Sequence, residues 1–523
     1  MTTTFLQKKN NAKSTLATVG GINNSVTALD VQSGDGTKFP AVPFNATLYS
    51  DAGTPANGEI VKVTSKGTGD NWTIVRAQES TTAQTWAQGI KVELLVTAKL
   101  LQDLDTAVNN LEKRVQVVVA TDGSGDYNTD GTADNVEIQQ AIDSLPSGGG
   151  IVLLKAGTYT INATINVLKN NVIIRGEGKV TKMFLANSSN VNMLYIGNGS
   201  TVANDCVVED IFFDPNGANQ STLGSAVCIY GTSGVKALRN IIRGCRFTKC
   251  QNDNVKLIYA DRNIVANNIF DECTNGAGLG IFSSSQSNNV NENIFIHCTY
   301  GVYSNSHYNN ISGNVFVDNT YGVGLNGVVN CSVSGNWFGS VSYYQTGVWM
   351  AGASARHSIT GNTFYQPYRA VLGDANAGLY SNVISGNSIH LSNQEAIYLQ
   401  AGANQNNIVG NTIRQSSLHA IRIRGSKNVI SSNVLSDNGA GASNTYSDIF
   451  LDDDGTTFST YNVVIGNNCQ AAGANKVAYH IRENAAGDDY NLIIGNICKD
   501  GVSAQISVQG VNSVRGTNIP ASG

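Results

Sequence analysis

Proline and charge are both scarce in this chain. Only 7 of its 523 residues are Pro and 14% are charged, against roughly 25% charged in an average globular protein. A net charge of −5 spread over this length leaves no basic stripe for a phosphate backbone, which excludes nucleic acid as a partner. Long apolar runs are missing too, so no membrane insertion is expected, and the opening MTTTFLQKKNNAKSTLATVGG has lysines but no apolar core of the kind that directs Sec-type export. The cysteines number 9, an odd count with no CxxC pair. That argues against a disulfide framework or a zinc site and predicts reduced, buried, small apolar residues. A nucleophile elbow, HExxH, a P-loop and a nucleotide fingerprint are all absent, so no common cofactor is expected.

What the chain does have is glycine, 55 residues of it, abundant asparagine, and a phrase that keeps returning: NIVANNIF, NVNENIF, NISGNVF, NCSVSGNWF, HSITGNTF, NVISGNSI, NIVGNTI, NVISSNVL. The Asn third from the end of each is Asn268, Asn293, Asn314, Asn336, Asn362, Asn387, Asn411 and Asn433, at intervals of 25, 21, 22, 26, 25, 24 and 22 residues. A period in that range means a solenoid. Between these anchors runs a second phrase with strand spacing, GVYS, GVGL, GVWM, AVLG, AIYL, AIRI. Short strands broken by Gly, Asn and Ser predict an all-β chain with a parallel β-helix over 149–523, its coils ~4.8 Å apart, and an Asn ladder at the turn. Five residues after the anchors, Cys250, Cys273 and Cys298 are expected to form a similar stack, Cys245 being the anchor of the coil before Asn268.

Residues 1–97 do not share the repeat. FPAVPF, EIVKVT, TIVRAQESTTAQTW and KVELLVTAKLL predict a compact β domain with at least one hairpin. This stretch resembles the N-terminal domain of bacteriophage tail fibres and tailspikes, which implies attachment to a virion through phage tail or baseplate proteins. Residues 98–116 follow as a helical neck: Leu101, Leu104, Val108, Leu111 and Val115 are spaced 3, 4, 3, 4, a heptad seam. About two such heptads need partners to stay helical in water. The resemblance implies a homotrimer; one helix packed on its own chain would explain the same pattern.

Residues 117–148 open the solenoid. Ile138, Ala141, Ile142 and Leu145 lie on one helical face, and a helix here would cap the first coil. DGTADNVEIQQAID and GGGIVLLKAGTYTI resemble the opening of the pectate-lyase-like superfamily, which implies a right-handed β-helix and says little of substrate. Asp126, Asn128, Asp130, Gly131 and Glu137 satisfy the spacing of a calcium loop. Asp134 and Glu137 also fit an N-cap with an N3 acid, so the acidic turn has a reading without an ion.

In a β-helix, residues at one position of successive coils form rows. Four residues after the anchors the row reads Lys249, Glu272, His297, Asp318 before turning neutral. Glu272 and Asp318, two coils apart, would stand ~9.6 Å apart along the axis, near the wide end of the separation in inverting glycosidases. They are the candidate acid and base, with His297 between them and Glu292 in reserve. A charge row that merely keeps the surface soluble is the competing reading. An outward row in the GVYS-type strands, Lys256, Gly280, Tyr303, Gly324, Trp349, Leu372, Tyr398, Arg422, offers Tyr303, Trp349 and Tyr398 as platforms for sugar rings, the glycines leaving depth; a subunit interface would explain it equally. Together with the tailspike resemblance, these features predict a virion-borne spike or fibre, made in the host without a signal peptide, that binds a host surface glycan, with depolymerisation of that glycan left open. A non-catalytic fibre and a free polysaccharide lyase or epimerase are the alternatives.

Overall fold

The computed structural model describes residues 12–50, 57–104, 116–342, 344–374 and 378–520. They fall into two units, Met1–Lys113 and Arg114–Gly523. In the first, six antiparallel strands order as Lys13–Thr15, Lys91–Glu93, Phe44–Tyr49, Glu59–Lys66, Asn71–Gln78 and Ala28–Asp30. The expected hairpin is the pairing of Glu59–Lys66 with Asn71–Gln78. Within its core Trp72 meets Phe39 and Phe44 edge-on. One buried carboxylate, Glu59, is held by both arms of the Arg76 guanidinium and by Trp86 Nε1 at 2.9 Å, which satisfies a charge that burial alone would expel. Residues 98–104 are helical with Leu101 and Leu104 exposed; Val108, Leu111 and Val115 of the expected neck lie outside the described residues.

The second unit is a parallel β-solenoid. A regular coil contributes two three-residue strands to one continuous sheet of thirty, such as Ile264–Ala266 and Ile269–Asp271, and one longer strand, such as Ala277–Phe282, to a sheet of fourteen. The solenoid starts earlier than residue 149: Gln116–Ala120 already pairs in parallel with Gly150–Leu154, because Val117 and Val119 alternate inward like any coil strand. The expected cap forms as the helix Asn135–Ser144, with Ile138, Ala141 and Ile142 fully buried against the first coils. Its N-terminus differs from the sequence reading. Asp134 does not cap the helix; its carboxylate accepts from Gly131 N–H at 2.8 Å and Thr160 N–H at 2.6 Å, tying the turn to the first coil instead.

Two asparagine ladders, not one, run up the solenoid. At the anchors, Asn293 Oδ1 accepts from both the backbone N–H and the Nδ2 of Asn268, each at 3.0 Å, while that Nδ2 also donates to Ile242 O. The arrangement repeats to Asn518. The second ladder stands five residues earlier, through Asn240, Asn263, Asn288 and Asn309, and resumes at Asn382 after Cys331 and His357 take two rungs. Each rung satisfies buried backbone and amide groups that would otherwise cost free energy. The residue before each anchor is left-handed, which explains its glycines, Gly313, Gly335 and Gly361 among them, and leaves Asn267, Glu292 and Ser432, at φ 56–57°, as the exceptions.

Inside the coil, seven phenylalanines from Phe213 to Phe364 stack at 4.7–5.2 Å with planes within 11° of parallel. Opposite them the fourteen-stranded sheet presents Gly278, Gly301, Gly322 and Gly347. A Cβ on any of these would lie within 2.4–2.7 Å of the facing ring. Beyond the last ring the pairing continues as Ala370 with Ile389, Ala396 with Ile413 and Ala420 with Leu435, all buried. The cysteine reading needs one correction: Cys250 and Cys273, stacked in successive coils with Cα atoms 5.3 Å apart, are joined in a disulfide, while the other seven are buried thiols. Coil stacking brings into bonding range two residues whose 23-residue separation looks unremarkable in the sequence.

Candidate functional site on the fourteen-stranded sheet

Strand register places the outward row as spacing predicted. Lys256 pairs with Gly280, then Tyr303, Gly324, Trp349, Leu372, Tyr398 and Arg422 follow in unbroken file. A parallel file three residues earlier brings Tyr300 onto Tyr321. The two files merge into one aromatic surface. Tyr300 and Tyr321 stack at 4.9 Å, Tyr321 and Trp349 lie 5.1 Å apart, and Tyr303 meets Tyr300 at 5.1 Å and Phe282 at 5.9 Å. All five rings are half-buried. The glycines do not leave depth, however: Phe282 lies over Gly280, and the Tyr300 and Tyr303 rings cover Gly324. The surface is a pavement of rings rather than a slot.

Farther along, the same face becomes an ion-pair lattice. Glu395 accepts from Arg369 at 2.9 Å and Arg422 at 3.0 Å; Asp452 accepts from Arg422 at 2.9 Å and Arg424 at 2.6 Å; Arg424 reaches on to Asp454 at 3.2 Å. Burial pushes the Glu395 carboxyl up, yet the guanidiniums of Arg369 and Arg422 outweigh it and hold it below the usual carboxylate range. Tyr398, expected as a free platform, has Arg422 at 4.7 Å and Arg369 at 5.6 Å over its ring, so guanidinium groups already occupy its faces. At the other end, Asp253 is buried with its carboxyl pushed up by that burial, bonded to Ala277 N–H at 2.7 Å and 3.8 Å from Lys256 Nζ. Its signal in the sequence was weak, a lone acid in a strand approach.

The candidate acids border this face without converging on it. Glu272, His297 and Asp318 occupy successive coils at one left-handed corner position, φ 49–53°, ahead of the aromatic strands. Glu272 lines a cleft of about 460 Å³ with Asn216, Lys249 and Asn275. His297 lies nearest Asp271, 3.6 Å away, and Asp318 Oδ1 accepts from Ser340 Oγ and Val341 N–H at 2.9 Å, securing the following loop. Glu292 belongs to a different corner and lines a separate groove with Asn291, Asn310 and Gly313. The calcium spacing does not gather its ligands. Asp126 accepts from Val118 N–H, Asn128 bonds Gly125 and Asp130 bonds Thr132, and among the described residues these carboxylates form no metal-sized cluster.

Residues 321–486 match the family described as right handed beta helix region. The solenoid is a right-handed β-helix. Residues 134–380 also match the family described as periplasmic copper-binding protein (NosD); among the described residues of that stretch no three His, Cys, Asp or Glu side chains gather at metal-binding distance. The curated relatives are a pectinesterase/pectinesterase inhibitor of Ficus pumila var. awkeotsang, 29% identical over 176 residues, and a pectinesterase of Daucus carota, 31% identical over 116 residues. These matches cover 32% and 21% of this chain and only 30% and 32% of those proteins. Among solved structures, the tailspike protein of E. coli bacteriophage HK620 in complex with a pentasaccharide superposes with a TM-score of 0.56 at 14% identity, over 78% of this chain and 81% of that one. At that identity the likeness is one of fold.

Proposed function

We propose that this chain binds a polysaccharide along the fourteen-stranded face and serves as a phage tail spike or fibre directed at a host surface glycan. The observation that carries the reading is the paved aromatic surface of Phe282, Tyr300, Tyr303, Tyr321 and Trp349, half-buried rings that run along the solenoid axis as an extended sugar chain would. The fold shared with a pentasaccharide-bound tailspike supports it, as does the N-terminal β domain, which in this reading docks onto the tail. The exposed Leu101 and Leu104 would begin a neck that joins three chains.

Binding of labelled protein to host cells tests this directly. Stripping the surface glycans is expected to abolish it, and Trp349→Ala to weaken it about tenfold, the effect of losing ~1.4 kcal/mol of stacking; binding unchanged by both removes the reading. The same incubations are assayed for new reducing ends. Activity lost in both Glu272→Gln and Asp318→Asn would make the bordering acids catalytic, whereas binding without cleavage leaves an adhesive fibre.

A further inference from the structure

The inner pairing of the coil changes character near its end. From Gly278 to Ala420 the inward position of the fourteen-stranded sheet is glycine or alanine, facing a ring or an aliphatic side chain. In the next two coils both partners switch together. The small residue becomes Asp448 and then His480, and the facing residue becomes Cys469 and then Cys498, which are in register on adjacent strands. All four are buried, at 1% exposure or less. A carboxylate oxygen of Asp448, the Cys469 Sγ and a ring nitrogen of His480 lie within 4.8 Å of one another, the one such group among the described residues.

We propose that these residues form an interior metal site for a thiophilic d10 cation, Zn2+ or Cu+. The orientation of the ligands argues for it. His480 Nε2 donates to the Lys499 carbonyl at 2.7 Å, leaving Nδ1 turned to Asp448 Oδ2 at 2.5 Å. The other Asp448 oxygen is held by Asn438 Nδ2 at 2.7 Å. That is how metal-binding histidines and carboxylates are fixed from outside, each through the atom that does not ligate. One nitrogen, one oxygen and the Cys469 sulfur then lie within 4.8 Å of one another; Cys498, beside Cys469 on the next strand, would complete the set as a fourth ligand, and such donors suit a tetrahedral ion and prefer soft metals. Bond lengths of 2.0–2.3 Å put tetrahedral ligands roughly 3.5 Å apart, so Nδ1 and Oδ2, now 2.5 Å apart, open by about an ångström to admit the ion. Binding expels the two thiol protons and the proton held between Nδ1 and Oδ2. The site lies outside residues 134–380 and owes nothing to that family match.

The test uses the full chain, refolded anaerobically with Zn2+ or with Cu+ in separate arms. About one ion per chain is expected in one arm, with a first shell containing sulfur by X-ray absorption on the unaltered protein. Cys469→Ser and Asp448→Asn, nearly isosteric and checked for native circular dichroism, should each bind metal at least ~100-fold more weakly, beyond the roughly 10–100-fold that an outer partner costs. Chelation should lower the melting temperature of the unaltered protein and leave that of the variants unmoved. Absence of metal in both arms, a shell of nitrogen and oxygen only, or equal loading in folded variants overturns the proposal.

Discussion

The two halves of the fourteen-stranded face share a backbone, a register and an interior, yet present opposite chemistry. From Phe282 to Trp349 rings rest on rings; from Arg369 to Arg482 rings alternate with guanidiniums, Arg422 over Tyr398 and Arg482 over Phe450 at 5.4 Å. In the first half apolar surface stays open to a partner. In the second it is already covered, and each buried acid is shared by two arginines. The contrast teaches that a solenoid separates its tasks by direction: inward residues set the coil, and outward files are free to specialise.

Cutting the lattice should have the largest effect. Glu395→Ala leaves Arg369 and Arg422 facing each other without their acid and is expected to cost about 3–5 kcal/mol, read as faster hydrogen exchange in those coils and not around Tyr321. Acid comes next. His419, stacked on Phe450 at 4.5 Å, has its imidazole pushed down to about 4 by burial and by Arg422. Its folded value lies below the ordinary 6.5, so its contribution is complete above that pH and is lost as pH falls toward 4, roughly 2 kcal/mol of it by pH 5. Glu395, also depressed, acts in the same direction at lower pH, so exchange should accelerate first in the charged half. Smaller is the effect on ligand: Tyr321→Ala should weaken glycan binding about tenfold, and Tyr398→Ala should change it less than twofold by the same scale, because its faces are taken. The smallest is salt, which should shift binding at the ring pavement by less than about twofold, since few unpaired charges take part.

Much of this was readable in the chain. The anchor intervals predicted the coil, and the outward row from Lys256 to Arg422 matches the strand register residue for residue, because a period of one coil fixes who stands beside whom. What escaped the sequence depends on side chains reaching across coils. The Asn that stands five residues before most anchors forms a ladder of its own, hidden because Cys331 and His357 interrupt it. Gly280 and Gly324 look like gaps until neighbouring rings fold over them. Tyr398 resembles Tyr303 until Arg369 and Arg422 close on it, and the Cys250–Cys273 bond needs two coils to be superposed. Asp448 and His480 could have been found by aligning coils, since only there does the small-residue position turn ionisable.

The ladders also act as a spacer gauge. Asn293 bonds to Asn314 at 2.9 Å across 21 residues, and Asn433 to Asn467 at 3.1 Å across 34. The rise between rungs is therefore indifferent to how much chain loops out between them. A corner can gain or lose a dozen residues while every file on every face keeps its alignment, so the reach and shape of the surface that meets a ligand can be redrawn one corner at a time without renegotiating the scaffold.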